Sequence, residues 1–265
     1  MRTIAFLMLF VILLSCQKNS ITGRKQLLLV PETELQQMSD TQYRSFLIKN
    51  KVVAGKVNRD AEMVNRVGKK ISEAITQYYS SKGMASKLNG YKWEFNLVDD
   101  KTVNAWCMPG GKVVVYTGLL SVTQNEKALA VVMGHEIAHA IAQHGNERMS
   151  QGLLQQFGGV ALSVAVSNKP SATQDLFLNA YGMASSVGVI LPYSRKQELE
   201  ADRYGLQFSA MAGYDPREAV PFWERMSKMA DGQQKPPEFL STHPSDQSRI
   251  EKVKEYVTEA IKYYK

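Results

Sequence analysis

The sequence predicts an α+β domain, mostly helical, with one small β-sheet, and three observations predict it. Apolar residues recur at helical spacing over several long stretches, and strand-like segments are confined to residues 91–117. Hydrophobic residues at 44% and charged residues at 22% give a chain able to bury a core, which excludes disordered, collagen-like and multi-span membrane classes. At roughly 150 residues per domain, 265 residues make one large domain or two small ones. No internal repeat occurs, so a solenoid is excluded. The net charge is +7, with lysines and arginines scattered among acids, so a solvated basic surface is expected and no nucleic-acid partner.

The elements follow in order. Arg2 precedes an apolar run from Thr3 to Leu14 that is too short to span a bilayer and has the length of a signal-peptide core. Residues 1–15 are therefore expected to be a signal peptide, 16–30 a short basic tether, and 31–265 the folded domain. A first helix is predicted from Glu32 to about Lys49, and a second after Asn58 with Val64, Val67, Ile71, Ala74 and Tyr78 on one face. Tyr91 to Leu97 alternates as a strand does. Trp106 lies on a further strand, and Val113 to Thr117 form a third after the Pro109-Gly110-Gly111 turn.

Thr123-Gln124-Asn125-Glu126 reads as a capping box opening a helix that runs through Ile141 and stops near Gly145. Ser194-Arg195-Lys196-Gln197 reads as a second box, opening a helix that ends at Gly213. Asp215-Pro216 caps a third helix, since proline is tolerated at the first helical position. A last amphipathic helix carries Ile250, Val253, Val257 and Ile261.

The helix opened at Thr123 contains His135-Glu136-Ile137-Ala138-His139. Histidines four apart lie one turn above each other, so both imidazoles can reach one ion, and two of only four histidines fall here. A catalytic zinc takes three protein ligands and keeps an open position. Glu198-Leu199-Glu200-Ala201-Asp202 offers the third on the second capped helix: one of Glu198 and Asp202 can bind metal while the other accepts the free ring N–H of a ligand histidine. Glu200 points about 200° away from Glu198 on a helix of 3.6 residues per turn and reads as solvated.

The order HExxH and then, some 60 residues on, Glu-x-x-x-Asp resembles the gluzincin metallopeptidases. Gly134 to His139, Tyr193 to Gly205, Asn104 to Gly111, Thr242-His243-Pro244 and Thr22 to Leu27 resemble their HtpX and BepA branch, kin of the CAAX prenyl proteases, with compact bacterial lipoproteins the nearest match. The resemblance implies a zincin-like core and proteolysis close to a membrane. It implies one Zn2+ held by His135, His139 and Glu198, with Asp202 behind a ligand and Glu136 as general base. The multiple spans of the prenyl proteases and HtpX and the helical-repeat tail of BepA have no counterpart here, so their substrates and partners do not carry over.

Leu13-Leu14-Ser15-Cys16 resembles the bacterial lipobox, which implies lipid on Cys16, an anchor in a bacterial envelope facing the periplasm, and sorting to the outer membrane because Gln17 is not aspartate. Cys107 is then a free thiol. In zincins an extended substrate pairs with an edge strand beside the cleft, a role that falls on Asn104, Ala105 and Trp106; a plain core strand is the alternative. The nearly uncharged interval from Arg148 to Arg195 reads as core helices, a movable lid or a lipid-contacting surface. His144, five beyond His139, reads as a helix C-terminal cation or a surface residue. Tyr193 reads as a residue near the cleft.

His243 reads in three ways: a loop residue, a donor to the developing oxyanion, or a fourth metal ligand that latches the site. The oxyanion donor is preferred, which makes Glu136 and His243 the catalytic pair. The function expected is a membrane-anchored zinc metalloendopeptidase cutting misfolded or unassembled envelope proteins. The alternative is a chaperone-like binding factor with a latent metal site, against which the intact Glu136 argues.

Overall fold

Several helix starts in this chain follow from capping side chains. The computed structural model describes residues 16–54, 58–158, 164–165, 170–183, 193–230, 237–244 and 246–265. Helix α1 is Glu32–Lys49, and α2 is Arg59–Ser81, capped by the Asn58 side chain, which accepts from the Asp60 and Ala61 amides. Three strands follow, β3 (Glu94–Val98), β4 (Ala105–Met108) and β5 (Lys112–Tyr116), after the short N-terminal pair β1 (Cys16–Lys18) and β2 (Lys25–Leu27). Then come α3 (Thr117–Thr123), α4 (Glu126–Ile141), α5 (His144–Phe157), α6 (Pro170–Ala180), α7 (Arg195–Met211), α8 (Ala219–Ala230), α9 (Glu238–Thr242) and α10 (Gln247–Ala260).

Both ends of the helix that carries His135 and His139 differ from the sequence reading. Thr123 ends α3, its hydroxyl bonding back to the Leu120 carbonyl, and Asn125 caps α4 instead by accepting from the Ala128 amide. The ligand helix stops at Ile141, not near Gly145, because Gln143 takes a left-handed conformation (φ 55°) and starts a new helix at His144. The Ser194 capping box forms as read, and Gly213 follows α7 at φ 82°.

The sheet order is β3-β5-β4, with β5 central, parallel to β3 and antiparallel to β4. Both of its faces are buried, which is why Val113-Val114-Val115 is an unbroken apolar run. Phe95, Leu97, Ala105, Cys107, Val113 and Val115 face the core shared with α2, α4 and α7. Trp106, Met108, Val114 and Tyr116 face a second core with Tyr43 and Phe177. Helix α4 lies inside the first core, buried at every residue from Ala128 to Ile141.

Within the span read as a tether, β1 pairs antiparallel with β2, and Asn19 and Gln26 both donate to the Ala142 carbonyl at 2.9 Å. The expected signal peptide, 1–15, lies outside the described residues. Helices α5 and α6 occupy part of the apolar interval, and the rest of it, apart from the ends by α6 and α7, is mostly outside the described residues too. Among the described residues no helix is long and apolar enough to cross a membrane.

Candidate metal centre

The site exists because two helices touch. Gly134 on α4 and Gly205 on α7 meet backbone to backbone: a Cβ on Gly205 would stand 2.7 Å from the His135 nitrogen, and one on Gly134 would stand 2.6 Å from the Gly205 oxygen. Ser209 pins the crossing by donating to the Ala130 carbonyl at 2.7 Å. This contact brings Glu198 and Asp202, 63 and 67 residues beyond His135 in sequence, to face the histidines of α4.

His135, His139, Glu198 and His243 each present a ligand atom within 4.8 Å of the others. His135 Nε2 is 3.0 Å from His139 Nε2 and 3.2 Å from His243 Nδ1. The Glu198 carboxylate is 3.3 Å from His139 Nε2, 3.5 Å from His135 Nε2 and 3.0 Å from His243 Nδ1. All four residues are only 1–2% exposed.

The partners outside this group fix which nitrogens face inward. His135 Nδ1 lies 2.9 Å from Asp202 Oδ1, a pairing in which a neutral ring donates from Nδ1 and keeps a lone pair on Nε2. His139 Nδ1 lies 2.9 Å from His144 Nδ1, and His144 Nε2 lies 3.0 Å from Glu200 Oε2, so the same tautomer follows for His139. Burial holds His135 below and His139 well below the usual imidazole range, which keeps both neutral. Burial pushes the Glu198 carboxyl up, but Arg249 and His243 outweigh it and hold it well below the carboxylate range. Two inward lone pairs, an ionised carboxylate and a third imidazole are a donor set that fits a divalent metal.

Asp202 and Glu198 share Arg249, which the sequence reading did not single out. Its Nε and Nη2 bond Asp202 at 2.7 and 2.9 Å, and its Nη1 lies 2.6 Å from Glu198 Oε2. The guanidinium is 3.9 Å over the Trp223 ring and donates to the Pro244 carbonyl at 3.0 Å, fixing the turn that carries His243. One signal was available: Arg249, Val253 and Val257 recur four apart on the buried stripe of α10.

Glu136 points into the same space. Its Oε1 is buried without a hydrogen bond and is 3.4 Å from His243 Nε2; burial raises the carboxyl to about 7. His243 is no surface loop residue: it is buried and stacked on Phe239 at 4.5 Å. His144 and Glu200 also depart from expectation. His144 opens α5 fully buried, so it turns back onto His139, and Glu200 is partly buried between His144 and Arg24. Tyr193 covers the centre, its ring 4.0 Å from His139 and its amide bonded to the Thr242 carbonyl.

β4 is an edge of the sheet, with Ala105 and Trp106 on it and Asn104 just before. Asn104 donates to Glu238 at 2.9 Å and Phe239 donates to the Val103 carbonyl, tying this edge to the helix that leads to His243. The Trp106 ring belongs to the second core, its Nε1 bonded to the Tyr116 hydroxyl. Cys107 is a buried free thiol outside the metal-binding group, and Cys16 pairs through its backbone with Leu27.

The model of peptidase family M48 matches residues 65–257, which include both ligand helices and His243. Mitochondrial metalloendopeptidase OMA1 of Schizosaccharomyces pombe is 39% identical over 176 residues, 66% of this chain and 50% of that protein. Human metalloendopeptidase OMA1, mitochondrial, is 30% identical over 250 residues, 92% of this chain and 46% of that protein. The beta-barrel assembly-enhancing protease of Escherichia coli is 31% identical over 184 residues, 66% of this chain and 37% of that protein. The chain thus spans about half the length of the OMA1 relatives.

These relatives correct the expected location. A place in the outer membrane of a bacterial envelope, facing the periplasm, rests on the apolar run from Thr3 to Leu14 and the Cys16 that follows it, and the yeast and human relatives are named as mitochondrial. A buried metal-binding centre carries no address, and a 12-residue apolar run is too generic a signal to supply one. The centre itself agrees with the comparisons: with both ligand helices and the histidine turn inside the matched region, the chain belongs to peptidase family M48.

Proposed function

We propose that this chain is a zinc metalloendopeptidase acting on polypeptides, with misfolded or unassembled proteins as the substrate class implied by its resemblance to the HtpX and BepA branch. The observation that carries the reading is the convergence of His135, His139 and Glu198 beside a buried Glu136 oxygen that has no hydrogen-bond partner. Zinc held there supplies a Lewis acid that polarises a scissile carbonyl and acidifies water.

The chain's own residues do the rest. Glu136, raised by burial to about 7, exchanges a proton near neutral pH: it takes one from water and delivers it to the leaving amine. Asp202 orients His135, and Arg249 holds Asp202 and Glu198 in place. Asn104, Ala105 and Trp106 are 1–2% exposed, so an extended substrate pairs with this backbone edge only once its cover is displaced. Membrane attachment through lipid at Cys16 is proposed on the sequence alone, and palmitate labelling that persists in Cys16→Ala overturns it.

For His243 the geometry favours the latch over the oxyanion donor. A fourth-ligand role is supported by its Nδ1, which lies within 4.8 Å of the His135, His139 and Glu198 ligand atoms, and by the stacking of Phe239 and Tyr193 on its ring. Metal content and casein digestion of wild type and Glu136→Gln test the whole reading. Wild type should hold about one zinc and cut, and Glu136→Gln should hold it and not cut, because the side chain is a base and not a ligand. A Gln variant that keeps substantial turnover with full zinc overturns the mechanism.

A further inference from the structure

The two histidines of α4 are supported from opposite sides by unequal means. His135 rests on Asp202 and Arg249, both among the elements that build the centre. His139 rests on His144, His144 on Glu200, and Glu200 on Arg24, a residue of the N-terminal segment between β1 and β2. Arg24 bonds Glu200 through Nε at 2.8 Å and Nη2 at 3.1 Å, and grips Glu147 with two further bonds at 2.6 and 2.7 Å. Gln197 and Gln26 also donate to Glu147, at 2.9 and 3.4 Å, so the guanidinium sits in a filled cradle.

One set of directions satisfies every bond in this path. Arg24 can only donate, so Glu200 accepts as a carboxylate. With Glu200 accepting from His144 Nε2–H, the tautomer that completes the path is the one that keeps a lone pair on His144 Nδ1. That lone pair accepts from His139 Nδ1–H, and the remaining lone pair of His139 is on Nε2, the atom 3.0 Å from His135 Nε2. A carboxylate behind a ligand imidazole raises its basicity and fixes its rotation. Here the effect passes through a second imidazole, and its outermost member belongs to a segment more than 110 residues from His139 in sequence.

We propose that Arg24 is a positioning residue for the metal centre, acting through Glu200 and His144 to set the tautomer and orientation of His139, so that the segment from β1 to β2 is part of the centre. The inference rests on the reading of His135, His139 and Glu198 as metal ligands. Its consequence is that displacing this segment loosens the metal.

The test measures zinc affinity by chelator competition on the full chain, with thermal unfolding of each metal-free variant and the Co2+ absorption spectrum alongside. Glu200→Gln keeps the shape and removes the charge. It should weaken zinc by about tenfold, the lower end for an outer partner of a ligand, and shift the Co2+ bands. Arg24→Ala should do the same, and Arg24→Ala combined with His144→Ala should lose no more affinity than His144→Ala alone, because the path is already cut. Glu147→Gln, which weakens Arg24's other grip but leaves the path, should lower the melting temperature and weaken zinc less than Glu200→Gln does. Zinc affinity equal to wild type in Glu200→Gln, or additive losses in the double variant, overturns the proposal. Wild type that takes up no metal overturns the underlying reading of the site, and the inference falls with it.

Discussion

Replacing Arg249 by alanine should damage this protein more than any other single truncation of a charged side chain. The residue is 3% exposed, and it pairs with two carboxylates that are themselves 1% and 4% exposed. Removing one partner of a buried pair costs about 3–5 kcal/mol, because the other charge is left in a medium that cannot solvate it. Here two carboxylates are stranded, together with the Pro244 carbonyl and the Trp223 face, so the upper part of that range is expected for the metal-free protein. At about 2–4 °C per kcal/mol for a chain of this size, the melting temperature should fall by roughly 8–20 °C. Zinc affinity should fall about 10- to 100-fold as well, since Asp202 loses what orients it. Arg249→Lys restores a charge but not the fork that spans Asp202 and Glu198, so it should recover part of the stability and little of the affinity. Calorimetry of the metal-free proteins and zinc titration check both. A loss below about 1 kcal/mol in Arg249→Ala with wild-type affinity would refute the reasoning, since two unpaired carboxylates cannot be that cheap to bury.

Three further outcomes are expected. Gly205→Ala would place a Cβ 2.7–2.8 Å from the backbone of Gly134 and His135, so α4 and α7 must part; a loss of about 1–3 kcal/mol with weakened zinc binding is expected, and unchanged unfolding with unchanged affinity would show that the crossing does not set the site. Metal-free Glu136→Gln should be more stable than metal-free wild type above pH 7 and equal to it near pH 4. The fold raises this carboxyl from 4.5 to about 7, so the native state holds the extra proton between those values and stability falls as pH rises through that window. The difference at pH 8 is about 3 kcal/mol at 1.36 kcal/mol per pH unit, and denaturant titrations showing no pH-dependent gap would rule out the burial of a charge there. His243→Ala should raise basal cleavage of an unfolded substrate at full zinc content, whereas a fall of about 10²- to 10³-fold would return His243 to the role of oxyanion donor.

The sequence by itself determined what local physics encodes. Asn58 and Ser194 carry their own capping chemistry, so the starts of α2 and α7 were legible, and the unbroken valines of β5 announced a strand. The spacing of His135 and His139 put two imidazoles on one helical face whatever the rest of the chain did. The choice between Thr123 and Asn125 as the cap was not legible, because both lie within reach of the same first turn and only the end of α3 at Gln124 decides between them.

Only the tertiary structure decided how the centre is closed and supported. The contact of Gly134 with Gly205 aligns Glu198 and Asp202 with the histidines, and a pair of glycines 71 residues apart announces nothing in sequence. The left-handed Gln143 turns His144 back onto His139, where helical extrapolation had sent it to the surface. Glu200, on the far side of α7 from Glu198, found a role because Arg24 and His144 arrive there from other parts of the chain. Arg249 stood in the sequence only as one position of a stripe with Val253 and Val257, and nothing local named its two carboxylate partners. A buried charge is tolerated only where opposite charges meet it, and which charges meet is a property of long-range packing that no local pattern records.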